Sequence, residues 1–361
     1  MKKQVHGPSQ FYATDKNVFD ALNQHKVDNP TILKLFERRN IIVGKKTPRE
    51  ELAKYFARLT HDYYDHQDIA KRLGITTRRE RLTSLDLKGL NDKSDIQAPI
   101  DQLKAELEST GNVIQVSGDA DNVTINIQYS TIDYKLSELS QVQAKDGTIE
   151  FEKTPEGYII RNTDNEHMND LRESLLGKIE KSTTTEITKS AISLFDITSP
   201  KERSKFFYDL IKTDQSYRME DVTSVFTYRA KPDDDSDEGE VSDEDTYIEK
   251  VSLSGSGVSR SELLNQLLDN DDFYIIKVRW EAKQLLKGGH VYDIEATFSN
   301  PQDCTGFSYI LKGVYQYEEG KVSSQRRTPT KEEIKVVSQA VEAKSRDLVK
   351  KLDEQRQTEA E

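Results

Sequence analysis

Three runs toward the C-terminal end, Phe273 to Ala282, Val291 to Phe298 and Phe307 to Tyr317, constrain the fold more than any other feature of the chain. Over much of their length apolar residues alternate with polar or charged ones, as from Ile276 to Ala282 and from Tyr292 to Phe298. A period of two belongs to a strand with one face on a core and the other toward solvent. The same period recurs earlier, in Val113 to Val116 and Val123 to Tyr129. Thr148 to Phe151 and Tyr158 to Ile160 flank a turn at Thr154 to Gly157 and read as a hairpin. Helical stripes surround these strands, near 166–180, 200–212 and 260–269. The fold expected is α+β, a helical N-terminal module followed by a mainly antiparallel sheet with packed helices.

Along the chain we expect a flexible start with a short helix over 1–29, a basic helical module over 30–92 and an α+β domain over 93–230. An acidic loop follows over 231–246, then an antiparallel β-rich continuation over 247–329 and a charged C-terminal helix over 330–361. Residues 231–246 are almost entirely acidic or turn-forming, which predicts disorder. Val222 to Tyr228 and Tyr247 to Leu253 can pair across them as a long-looped hairpin. In the C-terminal helix Ile334, Val337, Val341, Leu348 and Leu352 form the apolar side. With 361 residues, 34% hydrophobic and 32% charged, the chain is long enough for buried cores with generous solvated faces.

Several function classes fall away. No apolar run approaches the roughly 18–20 residues that span a bilayer, and no apolar signal core follows the first residues, so no membrane partner is expected. The single cysteine, Cys304, has no disulfide partner and no neighbour at metal-ligand spacing, which suits a reducing, cytoplasmic location. No cofactor fingerprint and no catalytic signature is present, so the expectation is a binding or assembly protein rather than an enzyme.

Charge points to the partner. The net charge of −12 argues against a protein that coats nucleic acid non-specifically. Residues 31–90, however, carry 14 Lys and Arg against 8 Asp and Glu, about +6, leaving the remainder at about −18. Within that stretch Ile32, Leu33, Leu35 and Phe36 form a helical stripe that Asn29 can cap before Pro30. Thr47 and Glu50 have capping-box spacing before a second stripe of Leu52, Tyr55, Phe56 and Leu59. Arg38, Arg39, Lys45, Lys46, Arg49, Lys54 and Arg58 are the candidate nucleic-acid contacts, with Lys71, Arg72, Arg78, Arg79 and Arg81 able to extend them if they converge on one surface. A solvated helical face with Lys or Arg spaced against Glu is the competing account of the same charges.

The order of Leu33, Phe36, Arg39, Ile41, Gly44, Lys46 and Leu52 resembles, over residues 30–60, the SAP family of small DNA-binding modules. Members of that family join two short amphipathic helices by an extended loop whose basic residues approach the phosphate backbone. The resemblance implies that Arg39, Lys45 and Lys46 contact phosphates and that Leu33, Phe36, Ile41, Leu52 and Phe56 form the core. DNA or RNA is thus the expected partner, with a protein partner as the alternative.

Three other groupings have the composition of a site. His61, Asp62, Asp65 and His66 pair as His61 with Asp65 and Asp62 with His66 if all lie on one helix, and no three converge as metal ligands. Gly255 and Gly257 precede a helix capped by Ser259, where backbone amides can cradle a phosphate, but no nucleotide fingerprint is complete. Glu281, Ala282 and Lys283 close a strand and resemble the Glu-x-Lys element of Mg²⁺-dependent nucleases, with Asp293 and Glu295 as the nearest acidic partners. A metal-dependent nuclease centred on Glu281 and Lys283 is therefore the alternative function. A third is a subunit of a larger complex that binds partners through the acidic loop and the C-terminal helix.

Overall fold

The protein is described by a computed structural model covering residues 13–24, 27–73, 79–90, 93–119, 121–136, 138–183, 185–230, 248–269, 273–286, 288–318 and 320–360. It is α+β. In chain order the elements are α1 (Asp15–Leu22), α2 (Asn29–Glu37), α3 (Arg49–Ala57), α4 (Tyr63–Leu73), β1 (Leu82–Lys88), α5 (Lys93–Ser109), β2 (Val113–Gly118), β3 (Asn122–Ile132) and β4 (Val142–Thr154). There follow β5 (Gly157–Thr163), α6 (Glu166–Ser182), β6 (Thr188–Ala191), α7 (Pro200–Ile211), β7 (Tyr217–Arg229), β8 (Lys250–Ser254) and α8 (Glu262–Asp269). The chain ends with β9 (Phe273–Gln284), β10 (Val291–Asn300), β11 (Thr305–Glu318), β12 (Lys321–Arg327) and α9 (Lys331–Ala360). The acidic segment 231–246 lies outside the described residues, as do 1–12 of the N-terminal start.

Two compact units are present. The first takes its described residues from 1–79, 91–152 and 170–184, the second from 80–90, 153–169 and 185–361. The expected boundary at 92/93 therefore does not separate them, because 93–152 belong with the N-terminal helices.

In the first unit, α1 to α4 close around Val18, Leu22, Ile32, Phe36, Leu52, Phe56, Ile69 and Leu73. Phe36 meets Phe56 edge to face at 5.3 Å, an arrangement that suits the ring quadrupoles. Thr14 starts α1 with a capping box. For α2 the cap is Asp28 rather than the expected Asn29: its carboxylate accepts the Thr31 N–H at 3.0 Å, and Asn29 is already helical. The expected Thr47–Glu50 box does not form. Thr47 is used by a turn in which its N–H donates to Gly44 O at 3.0 Å, and α3 begins after Pro48 without a side-chain cap. Strands β2, β3 and β4 form an antiparallel sheet with Val116 opposite Ile125 and Ile125 opposite Ile149.

The second unit contains an antiparallel sheet ordered β5-β1-β11-β10-β9-β7-β8, with β6 on β1 and β12 on β11. Its β7 and β8 pair as the expected long-looped hairpin, Tyr228 opposite Lys250. β1 lies within residues expected to be helical; Leu87 is buried and the strand has neighbours on both edges. On one sheet face Trp280, Ile294, Ala296, Phe298 and Val314 meet Phe206, Phe207 and Leu210 of α7 and Val337, Val341 and Leu352 of α9. The apolar side of α9 thus faces its own unit. Among the described residues no helix is long and apolar enough to cross a membrane.

Candidate nucleic-acid interface

The segment between α2 and α3 is anchored at its start by a helix-ending motif. Asn40 N–H donates to Glu37 O at 2.9 Å and Ile41 N–H to Phe36 O at 3.0 Å, the paired bonds of a Schellman ending. That ending needs a left-handed residue, and Asn40 supplies it at φ 57°. Ile41 and Val43 then pack on the helical core while Ile42 between them is 96% exposed. Alternation along an extended segment explains why one side chain of the three points outward.

The candidate contacts separate into two groups. Lys45, Lys46, Lys54 and Arg58 are exposed, and Lys54 and Arg58, four apart at the end of α3, share a face. Arg39 is turned inward instead. Its guanidinium pairs with Asp65 and lies 5.0 Å from the Phe56 ring centroid, so it fastens the end of α2 to α3 and α4. Arg38 is exposed but pairs with Asp68, and Arg49 donates to Gln24 O at 3.2 Å. Of the further cations, Arg72 is exposed, Arg79 is half-buried and Arg81 belongs to the second unit. The Lys71 side chain and Arg78 lie outside the described residues.

The histidine group differs from the expectation. Helix α4 begins at Tyr63, so His61 and Asp62 precede it and the i, i+4 pairing does not arise. Asp62 caps the helix, its carboxylate accepting the Asp65 N–H at 3.0 Å. His61 Nδ1 lies 2.9 Å from His66 Nε2. Burial, then the neighbouring His61, lowers the pKa of His66 from its ordinary 6.5. As pH falls the unfolded chain therefore takes up this proton first, so the contribution to stability is complete above about 6.5 and is lost on acidification toward the lower folded value. Amide protection in α2 to α4 is expected to weaken on that descent, and His66→Gln to flatten the dependence; equal slopes in the two proteins would contradict it.

The second unit carries a charge cluster on the sheet face opposite its core. Lys277, Arg279, Glu281 and Lys283 share one face of β9, opposite Thr297, Glu295, Asp293 and Val291 of β10. Asp293 accepts Arg279 through Nε and Nη2, both at 2.7 Å, and Arg326 of β12 at 2.5 Å. Glu295 accepts Arg81 at 2.6 Å, Lys312 at 3.1 Å and Lys277 at 3.3 Å. Burial alone would raise its pKa, but these cations outweigh it and hold the carboxyl at about 2. A Cβ at Gly313 would collide with the Arg326 stem, so only glycine lets that side chain cross β11 to Asp293.

Against the nuclease arrangement, the carboxylates of Asp293 and Glu295 are occupied by five cations, and Glu281 has burial and the hydrogen bond to Tyr315 as the leading influences on its carboxyl, with a net upward shift in pKa. Among the described residues no three His, Cys, Asp or Glu are grouped to hold a metal ion. The glycine turn is similarly filled. Gly257 N–H and Ser256 Oγ donate to the Asp221 carboxylate at 2.8 and 2.7 Å, so a carboxylate of the same chain takes the place a phosphate would occupy. The helix after the turn starts at Glu262, and Ser259 lies in a short 3-10 segment instead of capping it.

The chain matches no protein-family model and no curated protein. Sequence reasoning grouped Arg81 with the N-terminal cations and missed Lys277, Lys312 and Arg326, because the four come from separate segments. The spacing of Lys277, Arg279 and Lys283 at every second or fourth position of one strand was the available signal.

Proposed function

We propose that the chain is a non-enzymatic nucleic-acid-associated binding protein whose N-terminal helices meet the phosphate backbone through the segment between α2 and α3. The observation that carries this reading is Ile42, 96% exposed between two core-packed neighbours, with exposed Lys45 and Lys46 just beyond it. An apolar side chain held outward by an anchored backbone is suited to meet bases, as apolar wedges do in other nucleic-acid-binding proteins, and cations beside it select a negatively charged partner. The resemblance to SAP modules favours DNA. Arg39 leaves the set of contacts because its guanidinium is turned inward onto Asp65 and the Phe56 ring; Lys45, Lys46, Lys54 and Arg58 remain.

Lys45→Glu with Lys46→Glu is the direct test, since both side chains are exposed and the fold should survive. Fluorescence anisotropy with duplex DNA is expected to show affinity reduced by tenfold or more at low salt. The slope of log affinity against log salt should fall by about 1.8, for two lost phosphate contacts at roughly 0.9 each. Affinity and slope equal to those of the unaltered protein would remove the basis of the proposal.

A further inference from the structure

The polar sheet face of the second unit has a composition that a solvated surface does not need. Five cations, Arg81, Lys277, Arg279, Lys312 and Arg326, converge on two carboxylates, Asp293 and Glu295. Glu281 and Lys283 on the same face offset one another, which leaves positive charge in excess on a chain whose net charge is −12. The two carboxylates are sealed underneath, with side-chain exposures of 1% and 5%, while Arg326, Arg81 and Lys312 retain 40%, 37% and 33%. Buried acceptors thus hold outward-facing cations in place before any ligand arrives, and the ordering cost that weakens binding by free lysines is already met.

The spacing identifies the ligand. Glu295 and Asp293 lie two residues apart on β10, so their two groups of cations are separated by about 7 Å along the strand. A further two residues on, Val291 stands opposite Lys283 on β9 and Tyr315 on β11. This repeat is comparable to the step between neighbouring phosphates of an extended strand. Tyr315 lies opposite Arg326, and the Lys283 amino group is 5.7 Å from the Tyr317 ring, so aromatic groups accompany the cations as they do where bases stack. We infer that this face binds the sugar-phosphate backbone of single-stranded nucleic acid, with Arg326 on one phosphate and Arg81 and Lys312 together on the next. The site is separate from the α2–α3 segment and its assignment does not depend on that one.

The test uses the full chain and a short fluorescein-labelled oligothymidine. Lys312→Gln with Arg326→Gln is expected to reduce affinity on the order of tenfold and to lower the salt slope by about 1.4, two contacts at roughly 0.7 each for a single strand. Duplex DNA should lose less. Lys45→Glu with Lys46→Glu is measured alongside: oligothymidine binding lost there and unchanged in the sheet variant overturns this inference and leaves the N-terminal proposal standing. An equal loss for duplex and single strand overturns the single-strand assignment. Should the sheet variant melt early, photocrosslinking of 4-thiothymidine oligonucleotide to the unaltered protein decides. Crosslinks in peptides of β9, β11 or β12 are expected, and their absence rejects the site.

Discussion

Glu342→Ala is expected to destabilise the second unit by about 3–5 kcal/mol, the range for breaking a buried ion pair by removing one partner. Glu342, on α9, is 1% exposed. Arg161 of β5, 3% exposed, donates to it through Nε and Nη2 at 2.7 and 2.8 Å, and the Tyr309 hydroxyl of β11 donates to the same carboxylate. One helical turn on, Arg346 reaches Asp86 at 2.7 Å and Ser84 at 2.9 Å, both on β1. Ser338, Glu342 and Arg346 recur every four residues and so make a polar stripe along a helix that also packs Val337, Val341 and Leu352 into the core. Truncation at 342 takes the carboxylate away from the Arg161 Nε and Nη2 donors and from the Tyr309 hydroxyl in a buried site. Trp280, the only tryptophan, is buried in the same unit and reports its unfolding in urea. Replacing both partners, Arg161→Met with Glu342→Leu, should cost far less than the single truncation, because no charge is left uncompensated. A single-variant cost under about 1 kcal/mol would show that water reaches the pair.

Arg39→Glu should lower the stability of the helical unit by about 2–3 kcal/mol, somewhat under the wholly buried case because the arginine keeps 23% exposure. The change places a carboxylate against Asp65, itself only 12% exposed, and removes the cation over the Phe56 ring. The same substitution at Lys45 or Lys46, both exposed, should change stability by less than about 0.5 kcal/mol. Thermal unfolding followed by helical circular dichroism separates the two outcomes. If Arg39→Glu melts like the unaltered protein while binding is lost, Arg39 belongs with the phosphate contacts after all.

Much of this molecule is written locally. The alternation from Ile276 to Ala282 and from Tyr292 to Phe298 placed Trp280, Ile294 and Phe298 on the core face and Arg279, Glu281, Asp293 and Glu295 on the other, and both assignments stand. The stripes of Phe36, Leu52 and Phe56 likewise marked the buried sides of α2 and α3. Periodicity can do this because it records which side of an element leaves water, a property of the element alone. Caps were less legible. Asp28 and Asn29 are both good capping residues, and a shift of one position along the chain leaves the helical pattern almost unchanged.

Pairing across the chain was decided by tertiary structure. Arg39 and Lys46 look alike in sequence, yet one is drawn onto Asp65 and Phe56 and the other is left in solvent, because only the fold of α4 against α2 brings a carboxylate to residue 39. Glu281, Asp293 and Glu295 could have held a metal as far as spacing shows. What set their chemistry was the arrival of Arg81 from before β1, Lys312 from the bulge in β11 and Arg326 from β12 over Gly313. Sequence alone determined the α+β class, the alternating strands such as β3, β9 and β10 with their faces, and the segregation of charge, but not β1, which only its neighbours β5 and β11 make a strand. The tertiary structure alone determined which cations are turned inward and which are held outward on buried carboxylates, since a charge is defined by what lies within a few ångströms of it and those neighbours are 214 residues away for Arg81 and Glu295 and 260 for Arg346 and Asp86.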